Sequence, residues 1–162
     1  MESYNDYYGI TQDYLRNYSS FKLALDNLRQ ERLRLEFEYS SLKTPTAKYG
    51  LEPGGESELT MPEQSAERRI IMLDRIHRIG ADISALHFKI MQLETAINSL
   101  NDTERKIIDL RFNKRMPWME VAGETGYSER GCKKRGYGII KTVSMKLFGY
   151  RIIEQRRFHF VS

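Results

Sequence analysis

The chain is poor in the residues that staple, kink or anchor a fold. It holds one cysteine in 162 residues, Cys132, so no disulfide forms within the chain. No run of about 18 apolar residues is present, which argues against a transmembrane helix. The opening "MESYNDYYGI" has no basic stretch followed by an apolar one, so no secretory signal is expected. Together these absences predict a cytoplasmic protein. His77, His87 and His159 are scattered without metal-ligand spacing, and no metal or cofactor is expected. No convincing strand appears, and therefore no glycine-rich phosphate loop behind one. The chain does not read as an enzyme with a small-molecule substrate.

What is there is charge, unevenly placed. The net charge is +4. Residues 102–162 carry 14 basic and 7 acidic side chains, whereas 1–42 carry 5 and 7 and 43–64 carry 2 and 4. A localised basic excess points to a polyanion partner. The competing reading is a solvated basic face.

Large residues follow a 4-3 spacing through Tyr14, Tyr18, Phe21, Leu25, Leu28, Arg32, Leu35, Tyr39 and Leu42. A second series runs from Met72 through Ile76, Ile79, Ile83, Leu86, Ile90, Leu93 and Ile97 to Leu100. Each spans about 42 Å of helix at 1.5 Å per residue. Such a repeat predicts coiled-coil-like packing, with these positions as core. Between them, Lys43 to Gln64 holds Pro45, Pro53 and Pro62 with Gly50, Gly54 and Gly55, which predicts a linker. Thr60 or Ser65 is positioned to start the second helix. Equal series around one linker predict an antiparallel hairpin over 1–100, with Arg32 level with Asp82; the repeat fits a core formed within one chain or between chains. Two helices bury little surface, so the region is expected to pair copies of the chain, as a dimer before any higher assembly.

From residue 101 the signals are those of a helix-turn-helix. Asn101 is placed to cap a helix, with Glu104 completing a capping box. Ile107, Ile108, Leu110 and Phe112 supply its apolar side. Pro117 suits the first turn of a short helix, Gly126 its end, and Ser128 the cap of a last helix running to Phe148. Ala122, Gly126 and Cys132 take the 0, +4, +10 spacing of close approach, tight turn and buried residue. Trp118 reads as core or cover for it.

Along the last helix, Cys132, Gly136, Ile139 or Ile140, Val143 and Leu147 form the inward stripe. Glu129, Arg130, Lys133, Lys134 and Tyr137 remain outside. The run Lys133, Lys134 and Arg135 is the candidate DNA contact, suited to phosphate or to guanine edges. Ser128 and the helix N-terminus suit a backbone phosphate. Gly131, Gly136 and Gly138 thin the helix for the approach of a phosphate or another helix. The candidate DNA-binding set is Ser128, Arg130, Lys133, Lys134, Arg135 and Tyr137. Beyond Gly149, Arg151, Arg156 and Arg157 extend the basic character, and Phe158, Phe160 and Val161 are candidates to dock on this unit or on another subunit.

Residues 100–147, "LNDTERKIIDLRFNKRMPWMEVAGETGYSERGCKKRGYGIIKTVSMKL", resemble region four of the bacterial sigma-70 factors. Glu104, Arg105, Leu110, Arg111, Phe112 and Ser128 fall on that family's pattern. The whole chain is similar to the RinA/ArpU group of bacteriophage transcriptional regulators, through the "YGLEPGGESE" linker, the long helix after it and the sigma-like end. That resemblance implies activation of phage genes in a bacterial host. Gly136 stands where members of the family tend to carry an apolar residue. Nothing here matches the further sigma regions that bind the −10 element and the polymerase clamp, so a free-standing sigma factor is not expected.

The expected fold is all-α: a long antiparallel hairpin over residues 1–100, then a sigma region-four-like helix-turn-helix over 101–162. The leading functional expectation is a sequence-specific regulator of transcription on double-stranded DNA, an activator. The first alternative is the DNA-recognition small subunit of a phage packaging terminase. The second is an interaction module that binds RNA polymerase or a sigma factor without touching DNA.

Overall fold

A computed structural model describes residues 6–42, 61–149 and 151–152. The fold is all-α, with no strand among the described residues. The helices are α1 (Tyr7–Arg16), α2 (Tyr18–Ser41), α3 (Met61–Asn98), α4 (Asp102–Ile108), α5 (Trp118–Thr125) and α6 (Glu129–Phe148). A π-helical turn, Asp109–Asn113, continues α4. No described helix is long and apolar enough to cross a membrane.

Contacts divide the chain into two units, Ala24–Leu86 and Met1–Leu23 with His87–Ser162. The boundaries fall inside α2 and α3. The sequence pattern places one division, at residue 100. The division lies elsewhere because α1 packs against α6 and the π-turn.

In the 24–86 unit α2 and α3 form the expected antiparallel hairpin. Leu35, Ile76 and Ile79 are buried, with Leu28, Tyr39, Met72 and Ile83 against them. Glu31 pairs with Arg75 at 2.6 Å, and Arg69 donates to the Leu42 carbonyl at 2.8 Å. These contacts fix which turn faces which. The expected pairing of Arg32 with Asp82 is not made. Arg32 Nε donates instead to Glu36 Oε1 at 2.8 Å, one turn along its own helix. Its guanidinium lies against Gly80, where an added Cβ would sit 3.5 Å from Nη1. The bare glycine backbone gives the flat group room, and the carboxylate it pairs with is Glu36 of its own helix, not Asp82 across the hairpin.

Two further expectations are corrected. The first apolar series does not lie on one unbroken helix, because α1 ends at Arg16 and α2 starts at Tyr18. Asn17 between them takes φ −102° and ψ 7°, and its side-chain amide donates to the Asp13 carbonyl at 2.9 Å. Asparagine competes in this way for helical backbone acceptors. The linker also ends sooner than Gln64: α3 begins at Met61, with Pro62 in its first turn, where a missing N–H costs no hydrogen bond. Residues 43–60, including Thr60, lie outside the described residues.

The other unit holds the larger core. Leu15 of α1 and Leu93 of α3 join Ile107, Val121, Cys132 and Val143, all essentially without solvent exposure. Fully burying each aliphatic side chain favours folding by about 1.5–3 kcal/mol. Two buried hydroxyls secure α1: Thr11 donates to the Tyr7 carbonyl at 2.7 Å, and Ser144 of α6 donates to the same oxygen at 3.3 Å. The Tyr7 and Phe148 rings lie 4.9 Å apart. The start of α2 is tied to α3 by Tyr18, whose hydroxyl donates to Glu94 at 2.6 Å, and by Lys22, 2.9 Å from the same oxygen. The Tyr18 hydrogen bond and then the Lys22 ammonium hold the Glu94 carboxyl below its ordinary range. Hydrogen bonding to Tyr18 and to Glu94 pushes Lys22 up. Burial, then Glu94, pushes Tyr18 up.

Candidate nucleic-acid interface

The helix-turn-helix is assembled from short-range signals. Asn101 Oδ1 accepts from the Glu104 N–H at 2.9 Å, and Glu104 Oε2 accepts from the Asn101 N–H at 3.1 Å. This reciprocal box satisfies two of the donors that the start of a helix leaves unpaired. Past α4, the π-turn brings Leu110 and Phe112 into the core. It sends Arg111 the other way, to donate to the Met116 carbonyl at 2.8 Å and lie 5.0 Å from the Trp118 ring. Arg115, at φ 57°, turns the chain into α5. Pro117 caps α5 from just outside it, one residue before the position expected for it.

The turn between α5 and α6 follows the expected spacing. Gly126 takes φ 72°, a conformation open to glycine at little cost, and its N–H donates to the Ala122 carbonyl at 3.0 Å. Ser128 caps α6, accepting from the Gly131 N–H at 3.1 Å. Its hydroxyl proton is left available for a phosphate oxygen. Cys132 is buried, with its sulfur 3.2 Å from the Thr125 hydroxyl. Lys106 reaches the other end of α5, donating to the Glu124 carbonyl at 2.6 Å, where a cation suits the helix dipole.

The inward stripe of α6 is Cys132, Gly136, Ile139, Ile140, Val143 and Ser144. Both isoleucines are buried, settling which of the two faces inward. Leu147 is only partly buried against the core. The three glycines of the helix have three different surroundings. A Cβ at Gly136 would fall 2.2 Å from Trp118 Cη2, so the indole occupies the space that an apolar side chain would need. A Cβ at Gly131 would stand 3.0 Å from the capping Ser128 hydroxyl. At Gly138 an added Cβ meets nothing within 4 Å.

The exposed face of α6 sorts the basic run. At about 100° per residue, spacings of four, three and four hold one line along a helix. Arg130, Lys134, Tyr137 and Lys141 have those spacings, and all four are exposed. Lys133 and Arg135 flank the line. Lys133 is paired with Glu129 at 2.6 Å. Arg135 lies over the Tyr127 ring, 4.3 Å from its centre. The structure thus aligns Arg130, Lys134 and Tyr137, places Ser128 at the head of the same helix, and engages Lys133 and Arg135 with protein neighbours. Lys141 is the residue that sequence reasoning missed. Its signal is present, four residues beyond Tyr137, but it lies outside the consecutive cationic run.

The aligned groups form a cationic, partly aromatic strip beginning at a capped helix N-terminus. Such a strip offers point charges to phosphates and donors to base edges. Of the tail residues, Arg151 is exposed and Ile152 buried, while Arg156, Arg157, Phe158, Phe160 and Val161 lie outside the described residues. Residues 51–145, more than half of the chain, match the model of a family described as a protein of unknown function (DUF722). No curated protein and no solved structure matches.

Proposed function

The chain belongs to the DUF722 family, and we propose that it is a sequence-specific DNA-binding regulator of transcription. One observation carries this reading: Arg130, Lys134, Tyr137 and Lys141 form a single exposed line on the second helix of a helix-turn-helix. The N-terminal half of α6 enters the major groove, where Arg130 and Lys134 reach base edges or flanking phosphates. Lys141 and the Ser128 hydroxyl hold the backbone. By the resemblance of residues 100–147 to sigma region four and of the whole chain to phage regulators, it is an activator, phage-encoded, working in the cytoplasm of a bacterial host in contact with RNA polymerase. It acts as a dimer. The 24–86 unit supports this by exposing Leu33, Phe37, Ile70 and Ile71 around a small core.

The test is selection of bound duplexes from a randomised double-stranded pool, followed by affinity measurement at two salt concentrations. The expected result is one enriched motif, bound with a steep salt dependence. Lys134→Glu/Lys141→Glu should reduce affinity at least about tenfold and flatten the salt slope by about two, one for each phosphate no longer neutralised. A pool that yields no motif, or a double variant that binds like wild type, would sink the reading.

A further inference from the structure

We propose that the groove between the last three turns of α3 and the end of α6 is a docking site for an acidic amphipathic helix of a partner protein. Along the end of α3 and the turn after it, Phe88, Gln92, Thr95 and Ser99 make one outward stripe with Met91 beside it, and none of them carries a charge. In a chain whose residues are 30% charged, an uncharged exposed stripe of this length stands out. Phe88 is 61% exposed and Met91 49%. Two adjoining concavities of about 490 and 380 Å³ flank this stripe and share Phe88, Gln92 and Lys146. From Phe88 to Ser99 the stripe is about 16 Å long, the span of a three-turn helix. Peptide helices that enter such grooves present apolar anchors at i, i+3, i+4 and i+7.

The charge of the rim selects the occupant. Lys89, Lys146 and Arg151 line the groove, and among the described residues no carboxylate lines either concavity. Lys89 leans over the Tyr14 ring at 4.9 Å, and Lys146 borders both concavities. An apolar floor with a cationic border fits an apolar stripe bordered by glutamate or aspartate. A nucleic-acid backbone would satisfy the cations and leave Phe88 and Met91 without a partner. The exposed apolar pair of α2, Leu33 and Phe37, is a poorer fit as a second copy's contribution. Its neighbours Arg32 and Arg34 offset Glu36 and Glu38. The groove uses no residue of the Arg130–Lys141 line, so its occupancy is independent of DNA binding.

The experiment is fluorescence anisotropy on the full chain. The probe is a labelled 15-residue helical peptide with leucines at the four anchor spacings and flanking glutamates. A counterpart with lysine for every glutamate is the control. The glutamate peptide should bind, and the lysine peptide at least about tenfold more weakly. Phe88→Ser should cut affinity about tenfold or more, and Lys146→Glu should weaken it while removing part of its salt dependence. Both positions border solvent, so the variants should keep the wild-type melting temperature and DNA affinity. Equal binding of the two peptides, or of the glutamate peptide to wild type and Phe88→Ser, overturns the proposal. So does a wild-type dimer that Phe88→Ser converts to monomer in sedimentation equilibrium, which would give the groove to a second copy. Loss of DNA affinity in Phe88→Ser would overturn it too, in favour of nucleic acid.

Discussion

The two units use similar helices to different ends. Among the described residues the 24–86 unit centres on a buried cluster of three side chains, while the unit holding α4 to α6 buries fourteen in one cluster. Both draw on α2 and α3, so helix length does not make the difference. What differs is the number of helices that converge. Among the described residues each helix of the hairpin has one neighbour and one buried stripe, which leaves Leu33, Phe37, Ile70 and Ile71 exposed. Where α1, α4, α5 and α6 meet, helices cover one another on several sides. A long regular apolar repeat is therefore a poor guide to where a core lies, and short irregular helices build the larger one.

The sharpest way to break the comparison is to truncate one buried isoleucine in each unit. Ile107→Ala should cost about 2–5 kcal/mol, because neighbours on all sides hold the cavity open. Ile79→Ala should fall at or below the bottom of that range, because the hairpin can close around the gap. Urea titration by circular dichroism measures both, and equal losses would erase the distinction between the units. Smaller is the effect expected of Gly136→Ala, where the new methyl meets the Trp118 indole. That should cost about 1–3 kcal/mol, and adding Trp118→Leu should recover part of the loss in thermal melts. Additive losses would show that the indole does not set the spacing of α5 and α6.

The smallest effect concerns pH. The Glu94 carboxyl is held low, so its contribution is complete above its unfolded range and is lost as pH falls through about 4 and below. Tyr18 and Lys22 are held high, so theirs is complete below about pH 10 and is lost as pH rises beyond it. All three groups are at least partly solvated, and Glu94→Gln should cost no more than about 0.2–1 kcal/mol. Melting temperature followed from pH 3 to 8 should show a shallower acid limb in that variant. An unchanged limb would assign the acid sensitivity to other carboxylates.

Sequence is most readable where the cause of structure is local. The Asn101–Glu104 box, the turn at Gly126 and the Ser128 cap each depend on residues within four positions, and each stands where it is expected. The hairpin is readable from its period. The docking of α1 is not, because Thr11 and Ser144 are polar residues buried by a shared carbonyl, which only the assembled fold brings together. Gly136 reads as thinning a face that something approaches, and what approaches is Trp118, eighteen residues earlier in the chain. Within the candidate interface, Lys133, Lys134 and Arg135 stand out because they are consecutive. Helical rotation separates those three and lines up Lys134 with Arg130, Tyr137 and Lys141 instead.

Cys132 is the chain's one thiol, and it lies in the middle of the α5–α6 core. A water-soluble thiol reagent therefore meets no thiol until that core opens. The rate at which the native protein reacts is a clock for such opening, running without any added label or substitution. Because the thiol sits where the two helices of the motif meet, the proposed function makes a prediction for that clock: added duplex DNA should slow it.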